Sequence, residues 1–122
     1  MPPNVPKARV QNDILDALKQ LLANTESAIV SQYDADETQD QSITLDLSGL
    51  KVVEIAARAT TDTTFTVEVS FDGAHWFEVY KSTTAETSYY SSLQTTARYV
   101  RLSSAQAASG TVDLVISAQK TL

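Results

Sequence analysis

The chain has 122 residues, a formal net charge of −6 and no cysteine. That length sets one domain, or one domain with an appendage, and the missing thiols exclude disulfides and thiolate metal sites. The acidic balance argues against a nucleic-acid surface, which needs a clustered basic footprint, and no apolar run approaches the roughly 18 residues needed to cross a membrane.

Met1–Lys7 holds all three prolines, Pro2, Pro3 and Pro6. It predicts an extended arm that docks on a neighbour, or a frayed terminus. The opening MPPNVPKA has no apolar h-region of a signal peptide, so release by assembly or lysis is expected.

Ala8 to Ser31 lacks Gly and Pro and is rich in Ala, Leu, Gln and Lys, which predicts one amphipathic helix. Asn12 or Asp13 would cap it, and Asp13 and Asp16 suit its first turn. Leu15, Leu18, Leu22, Thr25 and Ile29 recur at 3, 4, 3, 4 spacing, and Ile14, Leu18, Leu21 and Ala28 form an overlapping stripe. The combined face is wider than a two-stranded zipper needs. It fits a helix laid on its own β domain or a bundle of three or more helices. Ile14, Leu15, Leu18, Leu21, Leu22 and Ile29 are therefore the candidate oligomer or docking interface. The polar face has no excess of cations, so a membrane-surface helix is not expected.

Gln32 to Gln41, QYDADETQDQ, carries Asp34, Asp36, Glu37 and Asp40 with no cation. Its spacing lacks the glycine and the distal bidentate glutamate of an EF-hand loop, so it reads as a solvated acidic linker. The expected division is an arm and helix at 1–31, a linker at 32–41 and a β domain at 42–122.

From Ser42 the apolar period becomes two. Ile43, Leu45 and Leu47 alternate with polar residues, as do Val53, Ile55, Ala57 and Ala59. Phe65, Val67, Val69 and Phe71 form a strand that turns at Asp72-Gly73 into a second strand, Trp76 to Tyr80. Thr87–Tyr90, Ala97–Ser103 and Thr111–Ala118 complete seven or eight short strands. The expectation is a mainly β, compact antiparallel sandwich, jelly-roll or immunoglobulin-like, preceded by the helix. Its outward Ser and Thr positions give a polar surface of modest charge.

Chemistry-bearing residues are few. His75 is the lone histidine, so neither a Ser-His-Asp arrangement nor a typical zinc site can be built on it. It reads as a solvent-facing turn residue or a partner contact. Trp76, Glu78 and Tyr80 share one strand face, and Phe77 and Val79 the other. With the latter pair inward, Trp76 and Tyr80 would be free to stack on a sugar or a protein. Alternatively, Trp76 caps the open edge of the sandwich. Arg98 and Arg101 are expected to pair with Glu78, Glu86 or Glu54. Glu68 and Glu78 fall on neighbouring hairpin strands, but no loop is long enough to build a glycosidase cleft around them. No enzyme, cofactor or metal is expected.

The segments VEVSFDGAHWFEVY and ARYVRLSSAQAASGTVDLVISA resemble discoidin-like and related carbohydrate-binding sandwiches over residues 64–118. That resemblance implies a glycan partner. The chain is shorter than a discoidin domain and has no cysteine pair. The layout of arm, helix and sandwich is similar to small virion proteins of tailed phages and archaeal viruses. That resemblance implies a homo-oligomeric, trimeric head-decoration, fibre or tail-associated subunit without catalysis. Such a subunit would be made in the host cytoplasm and carried on the particle, against a capsid or tail protein.

Overall fold

The computed structural model describes residues 26–121. Eight strands run in order: β1 (Ser27–Asp36), β2 (Gln41–Asp46), β3 (Val52–Thr63), β4 (Phe65–Ser70), β5 (Phe77–Lys81), β6 (Glu86–Gln94), β7 (Tyr99–Ser104) and β8 (Thr111–Gln119). They form two four-stranded sheets, β1-β8-β3-β6 and β2-β7-β4-β5, with every pairing antiparallel. Only β4 and β5 follow one another within a sheet. All other connections cross the sandwich, which gives the nested Greek keys of a jelly roll.

The alternation seen in the sequence decides which side chains meet between the sheets. Val53 and Ile55 of β3 and Leu114 and Ile116 of β8 face Val67 of β4 and Val100 and Leu102 of β7 across a fully buried core. Phe65 is the largest side chain buried there. Each such residue contributes roughly 1.5–3 kcal/mol on removal from water.

Two boundary expectations are corrected. No helix occurs among the described residues, and Ser27–Ser31 is the first half of β1. Ile29 is therefore a strand residue, paired with Ser117 and 66% exposed, not the end of a helical seam. Its β-branched neighbours, Ile29-Val30 between serines, suit a pleated strand, and β8 would otherwise be an open edge. The candidate residues Ile14, Leu15, Leu18, Leu21 and Leu22, with residues 8–25 of the helix expected from Ala8 to Ser31, lie outside the described residues. Nor is 32–41 a solvated linker: Gln32–Asp36 continues β1, and Glu37 is wholly buried. The β body thus begins fifteen residues before Ser42.

The structure bears out the β4–β5 hairpin. Its tip is held by Asp72, whose Oδ1 accepts the N–H groups of Ala74 and His75, both at 2.8 Å. Gly73 sits at φ +82°, where a Cβ would also press on the Tyr99 ring at 3.1 Å.

Candidate functional site

Two surfaces carry the side chains that could engage a partner. The first is the outer face of β2-β7-β4-β5. Arg101 of β7 pairs in register with Glu68 of β4, and its Nε and Nη2 donate to Glu68 Oε1 at 3.2 and 2.9 Å. The guanidinium then lies 4.0 Å over the Trp76 ring, a cation–π contact. Tyr99 stands 6.5 Å away at a tilt of 53°. Beside this group a groove of about 340 Å³ is lined by Gln41, Ser42, Thr66, Glu68, Arg101 and Ser103. One face of the indole is thus taken by Arg101, and the groove beside it is polar.

Trp76 and Tyr80 do not share this face. Val67 opposes Tyr80 and Glu68 opposes Glu78, so Val79 is an extra residue in the ladder. This β-bulge reverses the alternation between Glu78 and Tyr80. Tyr80 turns toward β6 and stacks on Tyr89 at 4.3 Å and 13°, and Tyr89 stacks in turn on Phe65 at 6.3 Å. The Tyr80 hydroxyl donates to Glu86 Oε1 at 3.3 Å. Tyr80 therefore closes the open side of the sandwich between the two edge strands. Phe77 and Val79, expected inward, are exposed on edge strand β5, and Phe71 meets Phe77 edge-on at 6.5 Å.

His75 is exposed at the hairpin tip, with Nδ1 2.6 Å from Asp72 Oδ2. The backbone N–H groups of His75 and Ala74, then the His75 ring, hold the Asp72 carboxyl far below the usual carboxylate range. The arginines find partners other than those expected. Arg101 takes Glu68, and Arg98 takes Asp46 at 3.4 Å. The sequence places these residues on strands but does not give the strand order that makes β7 the neighbour of both β4 and β2. Among the described residues no group of three or more His, Asp and Glu comes together.

The second surface is the outer face of β1-β8-β3-β6. Register aligns Ser31, Val115, Ala56 and Tyr90 in one row across all four strands. Tyr33 lies beside that row at a bulge in β1, where Asp34 adopts φ +55° and its N–H donates to Asp113 Oδ1 at 2.8 Å. A shallow groove of about 220 Å³ runs between Tyr33, Ala56, Val115 and the Arg58–Asp113 ion pair. Ile29, Tyr33 and Tyr90 are 66, 60 and 67% exposed, so large apolar groups stand on both edge strands of this sheet. Between them the outward positions of β3 and β8 carry Ala56 and Val115 beside the charged Glu54, Arg58 and Asp113.

No family model matches the sequence, and no curated protein is similar to it. Solved structures of like fold include phage-derived proteins and carbohydrate-binding modules. The SPBc2 prophage-derived protein YomS superposes with a TM-score of 0.58 at 8% identity, over 76% of this chain and 94% of that one. The PBSX exported protein XepA gives 0.56 at 14% identity, over 79% of this chain but 37% of its own length. Chitosan-binding module 1 of a chitosanase/glucanase from Paenibacillus sp. IK-5 gives 0.51 at 18% identity, over 80% of this chain and 96% of the module. At these identities the likeness is one of fold.

Proposed function

We propose that this chain is a non-enzymatic structural protein of a virion: a homo-oligomeric, trimeric subunit of capsid decoration, fibre or tail, carried on the particle. The observation that carries the reading is the outer face of β1-β8-β3-β6. Its exposed Ile29, Tyr33 and Tyr90 stand on the sheet whose edge strand, β1, directly follows the 25-residue segment that includes Ile14, Leu15, Leu18, Leu21 and Leu22. An apolar stripe in the sequence and exposed Ile29, Tyr33 and Tyr90 on the sheet that follows it favour burial between copies, or against a larger capsid or tail protein. The like fold of the prophage-derived YomS supports the same setting. Mass spectrometry of particles purified from cells expressing the gene tests it. The chain is expected at a fixed ratio to the main capsid or tail protein; abundance in the lysate with absence from particles contradicts the reading.

A second reading rests on the other face. The polar groove beside Trp76, Arg101 and Glu68 has the hydroxyl, carboxylate and guanidinium groups that bind sugar hydroxyls, next to an aromatic ring. A chitosan-binding module shares the fold. On this reading the domain is a glycan-binding adhesion module. A glycan array with the wild type and Trp76→Ala separates the two, because the structural reading needs no sugar signal and the adhesion reading requires one that Trp76→Ala removes.

A further inference from the structure

The two sheets end differently. β2 and β5 are the edges of one, β1 and β6 of the other. A bare edge strand is a template for pairing with another chain, and shortness, charge or a bulge blunts it. β5 has all three: five residues, Glu78 and Lys81, and the bulge at Val79. β2 is six residues long and ends on Asp46, which pairs with Arg98. β6 has neither charge nor bulge over the seven residues Ser88–Gln94. Ser27–Gln32, the six residues of β1 before its bulge, are uncharged too. Among the described residues β6 pairs only with β3, and β1 only with β8.

The exposed apolar groups of this sheet stand at its margins, Ile29 on β1 and Tyr90 on β6, while Glu54, Arg58 and Asp113 keep its middle charged. A partner laid over the face would desolvate those charges. A partner beside the sheet would cover the margins and leave them wet. Strand directions suit a lateral neighbour. Four antiparallel strands leave β1 and β6 running opposite ways. A copy turned about an axis along the strands therefore offers its β1 antiparallel to β6.

The backbone hydrogen-bond pattern matches as well. Ile29, Ser117, Glu54 and Ser92 form one row across the sheet. Along such a row the N–H and C=O groups of successive residues point alternately one way and the other. The two ends of a four-strand row thus point both inward or both outward. Tyr90, two residues from Ser92, points as Ser92 does. Ile29 of one copy and Tyr90 of the next therefore make a regular ladder pair.

We propose that β6 of one copy pairs antiparallel with β1 of the next, Ser88–Ser92 against Ser27–Ser31 with Ile29 opposite Tyr90, and that this joint repeats head to tail around the trimer. The inference rests on the homo-oligomeric reading above and names the surface through which copies meet. None of the ten residues in the joint is charged, in a chain of net charge −6. Ile29 with Tyr90 is an aromatic and β-branched cross-strand pair, and Val30 falls opposite Tyr89 on the inner face. A contact that uses two different edges must close into a ring or run on as a filament. Five residues of ladder bury far less than the roughly 1,200–2,000 Å² of a stable interface. The joint therefore sets how copies meet and adds to the burial of the leucine-rich segment before β1.

Disulfide trapping in the full chain tests it, since the chain has no cysteine of its own. Within one copy, residues 29 and 90 lie on opposite edges, at least three strand spacings or roughly 14 Å apart, beyond the roughly 7 Å a disulfide spans. Across the joint, opposed Cα atoms lie about 4.5–5.5 Å apart, which a disulfide fits. The double variant Ile29→Cys with Tyr90→Cys, oxidised and run on a denaturing gel, should give a covalent ladder that stops at three copies. Neither single variant should link. By light scattering, Tyr90→Lys should raise the concentration at which the wild-type trimer dissociates at least about tenfold, with Ile29→Lys in its place should that variant not fold. A trimer whose double variant does not link, or whose lysine variant dissociates as the wild type does, overturns the joint and leaves the homo-oligomeric reading standing. Linking by Tyr90→Cys alone marks a two-fold contact, and a ladder past three copies marks a filament; either overturns the proposal. A wild type that is monomeric at every concentration overturns both.

Discussion

Arg101 lies over Trp76 with its guanidinium 4.0 Å from the ring centroid, and Glu68 fixes it there from the neighbouring strand. A carboxylate, a guanidinium and an indole contributed by β4, β7 and the approach to β5 act as one unit. The pair is only partly exposed, so the stacking should be measurable. A double-mutant cycle of Arg101→Ala and Trp76→Ala, read by chemical denaturation, is expected to show a coupling of about 0.5–1 kcal/mol. A coupling within error of zero would mean that the contact contributes nothing to the fold.

Tyr80 is expected to behave as a structural residue. Tyr80→Phe keeps the stack on Tyr89 and loses only a long bond to Glu86, so it should cost less than about 1 kcal/mol. Tyr80→Ala opens the side of the sandwich and should cost about 2–4 kcal/mol. Equal stability of the two variants in urea would contradict this placement.

The glycines of two turns should respond differently to the same change. Gly49, at φ +92°, has open space where a Cβ would go, so Gly49→Ala carries only the backbone penalty of about 1 kcal/mol. Gly110, at φ +106°, faces the Thr60, Glu37 and Thr61 oxygens. Gly110→Ala should cost more, by about 1–3 kcal/mol. Denaturation midpoints with unchanged slopes would measure the difference, and equal midpoints would contradict it.

Acid should weaken the fold through Asp113. The Asp34 N–H first, and then the Arg58 guanidinium, hold its carboxyl below the ordinary aspartate value of 3.8. The charged form therefore stabilises the folded chain. That contribution is complete above the unfolded value and is lost as pH falls through the lower, folded one. Asp113→Asn is expected to flatten the acid limb of a stability–pH curve below about pH 4 and to leave its shape near neutrality unchanged. An identical acid limb in the variant would remove Asp113 from the account.

Much of the sandwich was legible because period-2 alternation is a local signal. Ile43, Val53, Ile55, Val67, Val100, Leu102 and Leu114 are buried where the alternation puts them. What failed were features decided at a distance. Ser27–Asp36 reads as a helix end and a linker until β8 is seen to need a partner on its outer edge. The shared face of Trp76 and Tyr80 depends on a register with no extra residue, and Val79 is that extra residue. Arg101 could not be matched with Glu68, because the sequence does not state that β4 and β7 are neighbours. Glu37 looked like one more solvated acid in a run of four. Its burial is set by loops whose residues come 23 and more positions later in the chain.

Light scattering on the full chain, and on a chain shortened to begin at Glu26, tests the central claim most directly. Shortening to Ser42 would instead strip β1 from β8 and confound assembly with folding. The account predicts an oligomer for the full chain and a folded monomer for the shortened one. Two folded monomers of the expected masses would contradict it.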